Sequence, residues 1–257
     1  SFLTVPMMNH EGTVIGVLQL INALHPVTGE VGEFSDADRK LAESLASQAA
    51  IAMTNRQLVS QLEALFESFI TLINDAIDEK SPYTGGHCQR VPTLTMMLAE
   101  AVNDTTEGPL AGFTMSDADR YELKIAGLLH DLGKLRVPDE ILDKPGRLDE
   151  RERKIINAHS FETFQILRNI RGFEEITPWA AYHHEEPDGS GYPFRLRGQD
   201  MPLEARILRV ADIFQAMVQD RPYRRGLGGQ AVAGFLNDLA RQGRVDASIV
   251  ACVTADL

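Results

Sequence analysis

Two short runs of mostly alternating apolar and polar residues open the chain, FLTVPMM at 2–8 and TVIGVLQLINA at 13–23, with the polar turn NHEG at 9–12 between them. A period of two across a short turn predicts a β-hairpin. The period then changes. Ser35 and Asp38 have the spacing of a capping box, and Leu41, Leu45, Ala49 and Ala52 fall on one face of the helix that follows. From Leu58 the apolar positions are Leu58, Leu62, Leu65, Phe69, Leu72 and Ala76, in alternating steps of four and three. So narrow a seam belongs to a coiled coil rather than to an ordinary surface helix, whose apolar stripe is wider, and it predicts a parallel homodimer. The simpler alternative is a helix packed on its own domain.

Beyond residue 80 the pattern is helical nearly throughout. Ser116 and Asp119 form a second cap, after which Leu123, Ala126 and Leu129 face the core and bring His130 to the inner side of the helix. Asp149 precedes a helix in which Ile155, Ile156 and His159 share a face. Pro178 reads as a first-turn proline, which puts His183 and His184 about a turn and a half into the next helix and aims them in different directions. DGSGYPFRLRGQDMP at 188–202 is a structured loop beside that pair, and Val232, Phe235, Leu236 and Leu239 predict a last amphipathic helix.

Composition adds bounds. The chain has 257 residues, 44% hydrophobic and 24% charged, which is ordinary for a globular protein. Its formal net charge of -12 argues against non-specific binding of nucleic acid or anionic membrane, although an anionic ligand can still enter a site that holds its own cations. Cys88 and Cys252 are the only cysteines, so no disulfide framework is expected and a reducing, cytoplasmic setting fits. Neither a signal segment nor a run of about eighteen apolar residues is seen, and no membrane contact is expected of this segment.

The chemistry concentrates in one stretch. Five of the seven histidines, His87, His130, His159, His183 and His184, lie there, with Asp131 beside the second and Asp212 in a helix beyond the last. A lone histidine on an apolar face is usually a satisfied core residue, and His10 and His25 are read that way. The ordered set is different. Imidazole and carboxylate suit divalent iron, manganese, nickel or zinc, and seven candidates are too many for one ion. A carboxylate such as Asp131 can bridge two cations, which together clamp the attacking and leaving oxygens of a phosphoryl displacement with a hydroxide between them as nucleophile. Lys134 follows at i+3 and is placed to meet a phosphate.

HDLGKLRVPDEILDKPGRL (130–148), HHEEPDGSGYP (183–193), MPLEARILRVADIF (201–214) and RPYR (221–224) together resemble an HD-GYP domain of the HD phosphohydrolase superfamily. The first 55 residues resemble the C-terminal part of a GAF sensor domain. The resemblance implies a mainly α fold with a small α/β GAF remnant at 1–55, a coiled-coil linker helix at 56–79 and a catalytic domain at 80–257. It implies a phosphodiesterase that opens cyclic di-GMP to pGpG and onward to GMP, with two divalent metals, iron or manganese before nickel or zinc. His87, His130, Asp131, His159, His183, His184 and Asp212 match the metal ligands. Asp131 and Lys134 match the catalytic pair, and Lys134, Tyr192 and Arg221 match substrate contacts. Two positions depart from the family. Tyr83 stands where members with three metals have a glutamate. Gln215 stands where an aspartate often reads guanine, and its amide can still hydrogen-bond a purine edge. Two other readings stay open: an HD phosphohydrolase of another cyclic dinucleotide or nucleotide, and a non-catalytic cyclic di-GMP sensor.

Overall fold

The computed structural model describes residues 1–80, 86–220 and 225–254, and divides into two compact units, Ser1–Ser68 and Phe69–Leu257. Tyr83 and Arg221 lie outside the described residues. As expected, the fold is mainly α with a few short strands.

In the first unit, β1 (Phe2–Met8) pairs antiparallel with β2 (Val14–Ile21), Phe2 opposite Ile21 and Val5 opposite Leu18. The Asn9 side chain closes the turn by accepting from the backbone N–H groups of Glu11 and Thr13. A two-residue pair follows, β3 (Ala23–Leu24) with β4 (Val31–Gly32). Helix α1 (Asp36–Lys80) begins at the expected box, where the Ser35 hydroxyl accepts from Asp38 N–H and the Asp38 carboxylate from Ser35 N–H.

The face that α1 turns to the hairpin is not the expected one. Ala42, Ala46 and Ala50 are buried, and the first two pack with Val5, Leu3, Met7 and Leu18, whereas Leu41, Leu45, Ala49 and Ala52 are exposed. Alanines let helix and sheet approach closely, and small residues carry too little hydrophobicity to announce that face in a pattern.

In the second unit, the end of α1 buries Ile70, Asn74 and Ile77. Then come α2 (His87–Asn103), α3 (Asp117–Leu129), a 3-10 turn (Leu132–Arg136), α4 (Asp139–Leu142), α5 (Glu150–Asn157), α6 (His159–Leu167) and α7 (Ile176–Ala181). After the 188–202 loop follow α8 (Leu203–Val218), α9 (Gly229–Arg241) and α10 (Ala247–Thr254). Helix α8 is central: it packs on α2, α7, α9 and α10 and buries Ala205, Ile207, Leu208, Val210 and Ala211. Capping boxes start α3 (Ser116 with Asp119) and α5 (Asp149 with Glu152). Val232, Leu236 and Leu239 of α9 are buried, while Phe235 stays largely exposed. Helix α10, which the sequence reading did not foresee, is capped by Asp246, whose carboxylate accepts from Ser248 N–H, and it buries Ile249 and Val250. No described helix is long and apolar enough to cross a membrane.

Candidate metal centre

Four breaks between helices bring the histidines together. His130 and Asp131 sit in the turn between α3 and the 3-10 segment, where α3 has just buried Leu123, Ala126 and Leu129. His159 opens α6 after a break at Ala158, so it does not continue α5 as expected. His87 opens α2, and Asp212 lies on the buried face of α8. His183 and His184 lie just past the end of α7 instead of inside it, because the helix starts at Ile176 and ends at Ala181. Freed from helical geometry, the two imidazoles converge on one group where divergence was expected.

Two trios result, each with ligand-type atoms within 4.8 Å of one another: His87, His130 and Asp212, and His159, His183 and His184; a third group of the same kind, His130, Asp131 and His183, links them. Asp131 stands between them. Its Oδ2 lies 3.4 Å from His130 Nε2 and 3.6 Å from His87 Nε2, and its Oδ1 lies 3.3 Å from His159 Nε2 and 3.9 Å from His183 Nε2. Asp212 Oδ1 is 3.3 Å from His87 Nε2. Ligands about 2.1 Å from a common ion are themselves roughly 3 to 3.5 Å apart, close to these separations.

The hydrogen bonds around the rings fit a metal as well. His130, His159 and His183 each donate Nδ1–H to the carbonyl three residues earlier, those of Gly127 (2.7 Å), Ile156 (2.6 Å) and Ala180 (2.6 Å). That fixes one tautomer and leaves each Nε2 lone pair facing inward, as metal-ligating histidines require. His130 Nε2 is buried with no hydrogen-bond partner among the described residues.

Charge is arranged to match. Burial pushes the His184 imidazole down to about 3 and His183 well below its usual value, so both are neutral, the form that binds metal. Burial alone would raise the Asp131 carboxyl, but the Lys134 ammonium and the His130 and His159 rings hold it well below the carboxylate range. Burial likewise opposes the charge on Lys134, and the bond from its Nζ to Asp131 Oδ2 outweighs that and keeps it protonated. Tyr192 packs its ring 4.9 Å from His184. Burial and the charges of Asp131 and Asp212 push its phenol up, so it remains a donor. Burial also pushes the Cys88 thiol up, and Cys88 belongs to neither trio.

Thr163, Glu185 and Glu186 support the centre although nothing in the sequence singled them out. Thr163 Oγ1 donates to the His130 carbonyl and accepts from Gly133 N–H, tying the HD turn to α6. The Glu185 carboxylate accepts three backbone N–H groups, from Phe194, Arg195 and Leu196, and so holds the 188–202 loop. Glu186 accepts from Ser190, Arg209 and Arg244. Arg209 also donates to the His183 carbonyl, and Arg206 pairs with Asp246. Gln215 is buried, with its Oε1 at His87 Nδ1 and its amide N–H donating to Gln219 Oε1 at 3.0 Å.

Comparison with known proteins gives the context. A family model described as an HD domain matches residues 71–249, and one described as a GAF domain matches residues 1–54. The chain is 42% identical over 165 residues to the 3'3'-cGAMP-specific phosphodiesterase 3 of Vibrio cholerae, covering 64% of this chain and 34% of that protein. It is 31% identical over 211 residues to the cyclic di-GMP phosphodiesterase response regulator RpfG of Xanthomonas campestris, covering 80% of this chain and 52% of that protein. A solved HDG"Y"P protein from Bdellovibrio bacteriovorus has a similar fold, with a TM-score of 0.50 at 18% identity over 66% of this chain and 51% of that one. This chain therefore spans about a third to a half of the length of those curated relatives.

Proposed function

Because the chain belongs to the HD domain family, we propose that it is a metal-dependent phosphodiesterase of cyclic dinucleotides, with cyclic di-GMP as its substrate and pGpG as the first product. The observation that carries this reading is the position of Asp131, one carboxylate oxygen toward the histidines of each trio. His87, His130, Asp131 and Asp212 would hold one divalent cation, and Asp131, His159, His183 and His184 a second. A nitrogen and oxygen donor set without thiolate suits iron, manganese, nickel or zinc, of which the resemblance puts iron or manganese first. When bound, the two cations supply the Lewis-acid charge that activates water and neutralises a phosphodiester.

The chain's own residues do the rest. Lys134 keeps Asp131 ionised and in place, and its ammonium lies where it can also meet an equatorial phosphate oxygen. Tyr192, still protonated, offers a hydroxyl donor to the ligand from the loop that Glu185 fastens. Arg221 is proposed as a further ligand contact from its motif alone. The exposed seam Leu58, Leu62, Leu65, Phe69 and Leu72 supports a parallel homodimer through the 56–79 stretch of α1.

Elemental analysis of the purified chain, with turnover of cyclic di-GMP, tests the proposal. We expect two ions per chain and hydrolysis in the wild type, loss of both in Asp131→Ala, and retained metal with a kcat about a hundredfold lower in Lys134→Ala. An Asp131→Ala chain that still binds two ions and turns over would overturn the assignment. The 42% identity to a 3'3'-cGAMP-specific relative supports a second reading, in which the preferred substrate is the mixed guanine–adenine cyclic dinucleotide. A kcat/KM higher on 3'3'-cGAMP than on cyclic di-GMP would select it.

A further inference from the structure

We infer that Gln215 is a positioning residue that fixes His87 as a ligand of the first trio, and that it does not read a base of the substrate. The inference rests on the two-ion reading above. Three of the inward-facing imidazoles are oriented by carbonyls of their own chain segment, three residues back. His87 is oriented from elsewhere: its Nδ1 meets Oε1 of Gln215, which comes from α8, 128 residues later.

The polarity of that amide decides which ring nitrogen is free. With the carbonyl toward His87, Nδ1 carries the proton and donates it, so in the neutral ring Nε2 is the bare nitrogen, and it lies 3.3 Å from Asp212 Oδ1. With the amide reversed, its NH2 would favour a bare Nδ1 and a protonated Nε2, which cannot ligate. Gln219, the residue that ends α8, accepts from the Gln215 NH2 at 3.0 Å, which matches the productive orientation. Helix α8 thus holds both sides of the His87 ring, through Gln215 and through Asp212 three residues earlier. Gln215 is 1% exposed and both ends of its amide are engaged, which leaves it neither reach nor spare groups for a guanine edge.

The amide also has a consequence for affinity. A neutral carbonyl draws less on Nδ1–H than a carboxylate would, so Gln215 acts on His87 as the backbone carbonyls act on His130, His159 and His183. Removing a partner of this kind costs about 10- to 100-fold in metal affinity.

The test is a titration of the metal-stripped chain with manganese(II) or iron(II) alone, followed by KM at saturating metal. Gln215→Leu, close in size but without an acceptor, should weaken one of two binding events by about 10- to 100-fold and leave the other unchanged. Gln215→Glu should restore that event or tighten it. Gln219→Leu, which frees the amide to rotate, should weaken the same event by less. KM for cyclic di-GMP at saturating metal should stay within about twofold in all three. Wild-type affinity for both ions in Gln215→Leu, or a raised KM there with metal binding intact, would overturn the inference and restore a base-reading role. A wild-type chain that binds fewer than two ions would instead overturn the two-ion reading, and the inference with it.

Discussion

Gly133 and Gly191 show how single residues without chemistry of their own hold the centre together. A methyl group on Gly133 would lie 1.9 Å from the His159 carbonyl oxygen, and one on Gly191 would lie 2.2 Å from the Glu186 backbone nitrogen. Neither obstacle is a flexible side-chain end, so backbone must move. Gly133→Ala is therefore expected to destabilise the fold by roughly 1–3 kcal/mol and to drive α6, and His159 with it, away from Asp131. Calorimetric unfolding and metal content check this, the stoichiometry falling toward one ion; wild-type stability with two ions would refute it. Both glycines could be read from the sequence as parts of motifs, but the reason for Gly133 could not, because the carbonyl it must clear is 26 residues further on. Gln215 was legible as a departure from the family, and its partner was not, for the same reason of distance along the chain.

At the scale of elements, the helices were easier to foresee than their ends. The boxes at Ser35 and Ser116 start helices where their spacing said they would, and Asp149 starts the helix it was read to precede through a box with Glu152, since a capping box is a local device. The break at Ala158 and the early end of α7 carry no glycine and no local stop signal. What they do is turn His159, His183 and His184 toward one point. The loop after them depends on Glu185, which reads as an unremarkable acid in HHEE yet satisfies three N–H donors. Glu185→Ala leaves those donors without their partner, at a cost of about 1–3 kcal/mol for each that stays buried. It should loosen Tyr192 relative to His184. The expected result is a KM for the cyclic dinucleotide raised by about tenfold with both ions retained. Loss of metal without change in KM would place Glu185 in the centre's framework instead.

At the scale of the whole molecule, the mainly α class and the small α/β portion at the N-terminus followed from the change of period near residue 35 and from the motif runs. The packing of α1 did not. Its buried face in the first unit is alanine, and the larger residues Leu41, Leu45, Leu58, Leu62 and Leu65 point outward. If these form a seam between two copies, Leu62→Glu should shift sedimentation from dimer to monomer while leaving metal content untouched. A wild-type chain that sediments as a monomer across the micromolar range would remove the basis for the dimer.

The carbonyls of Gly127, Ile156 and Ala180 have one more consequence, for the energy of the folded state. By turning each imidazole before any cation arrives, they gather unshared electron pairs beside two carboxylates, a grouping that a protein interior tolerates poorly on its own. A divalent ion relieves this mutual repulsion, and its binding strengthens the native state by RT ln(1 + [M]/Kd), about 2.7 kcal/mol at a hundredfold excess over Kd. Metal supply would thereby govern the lifetime of this protein as well as its reactivity.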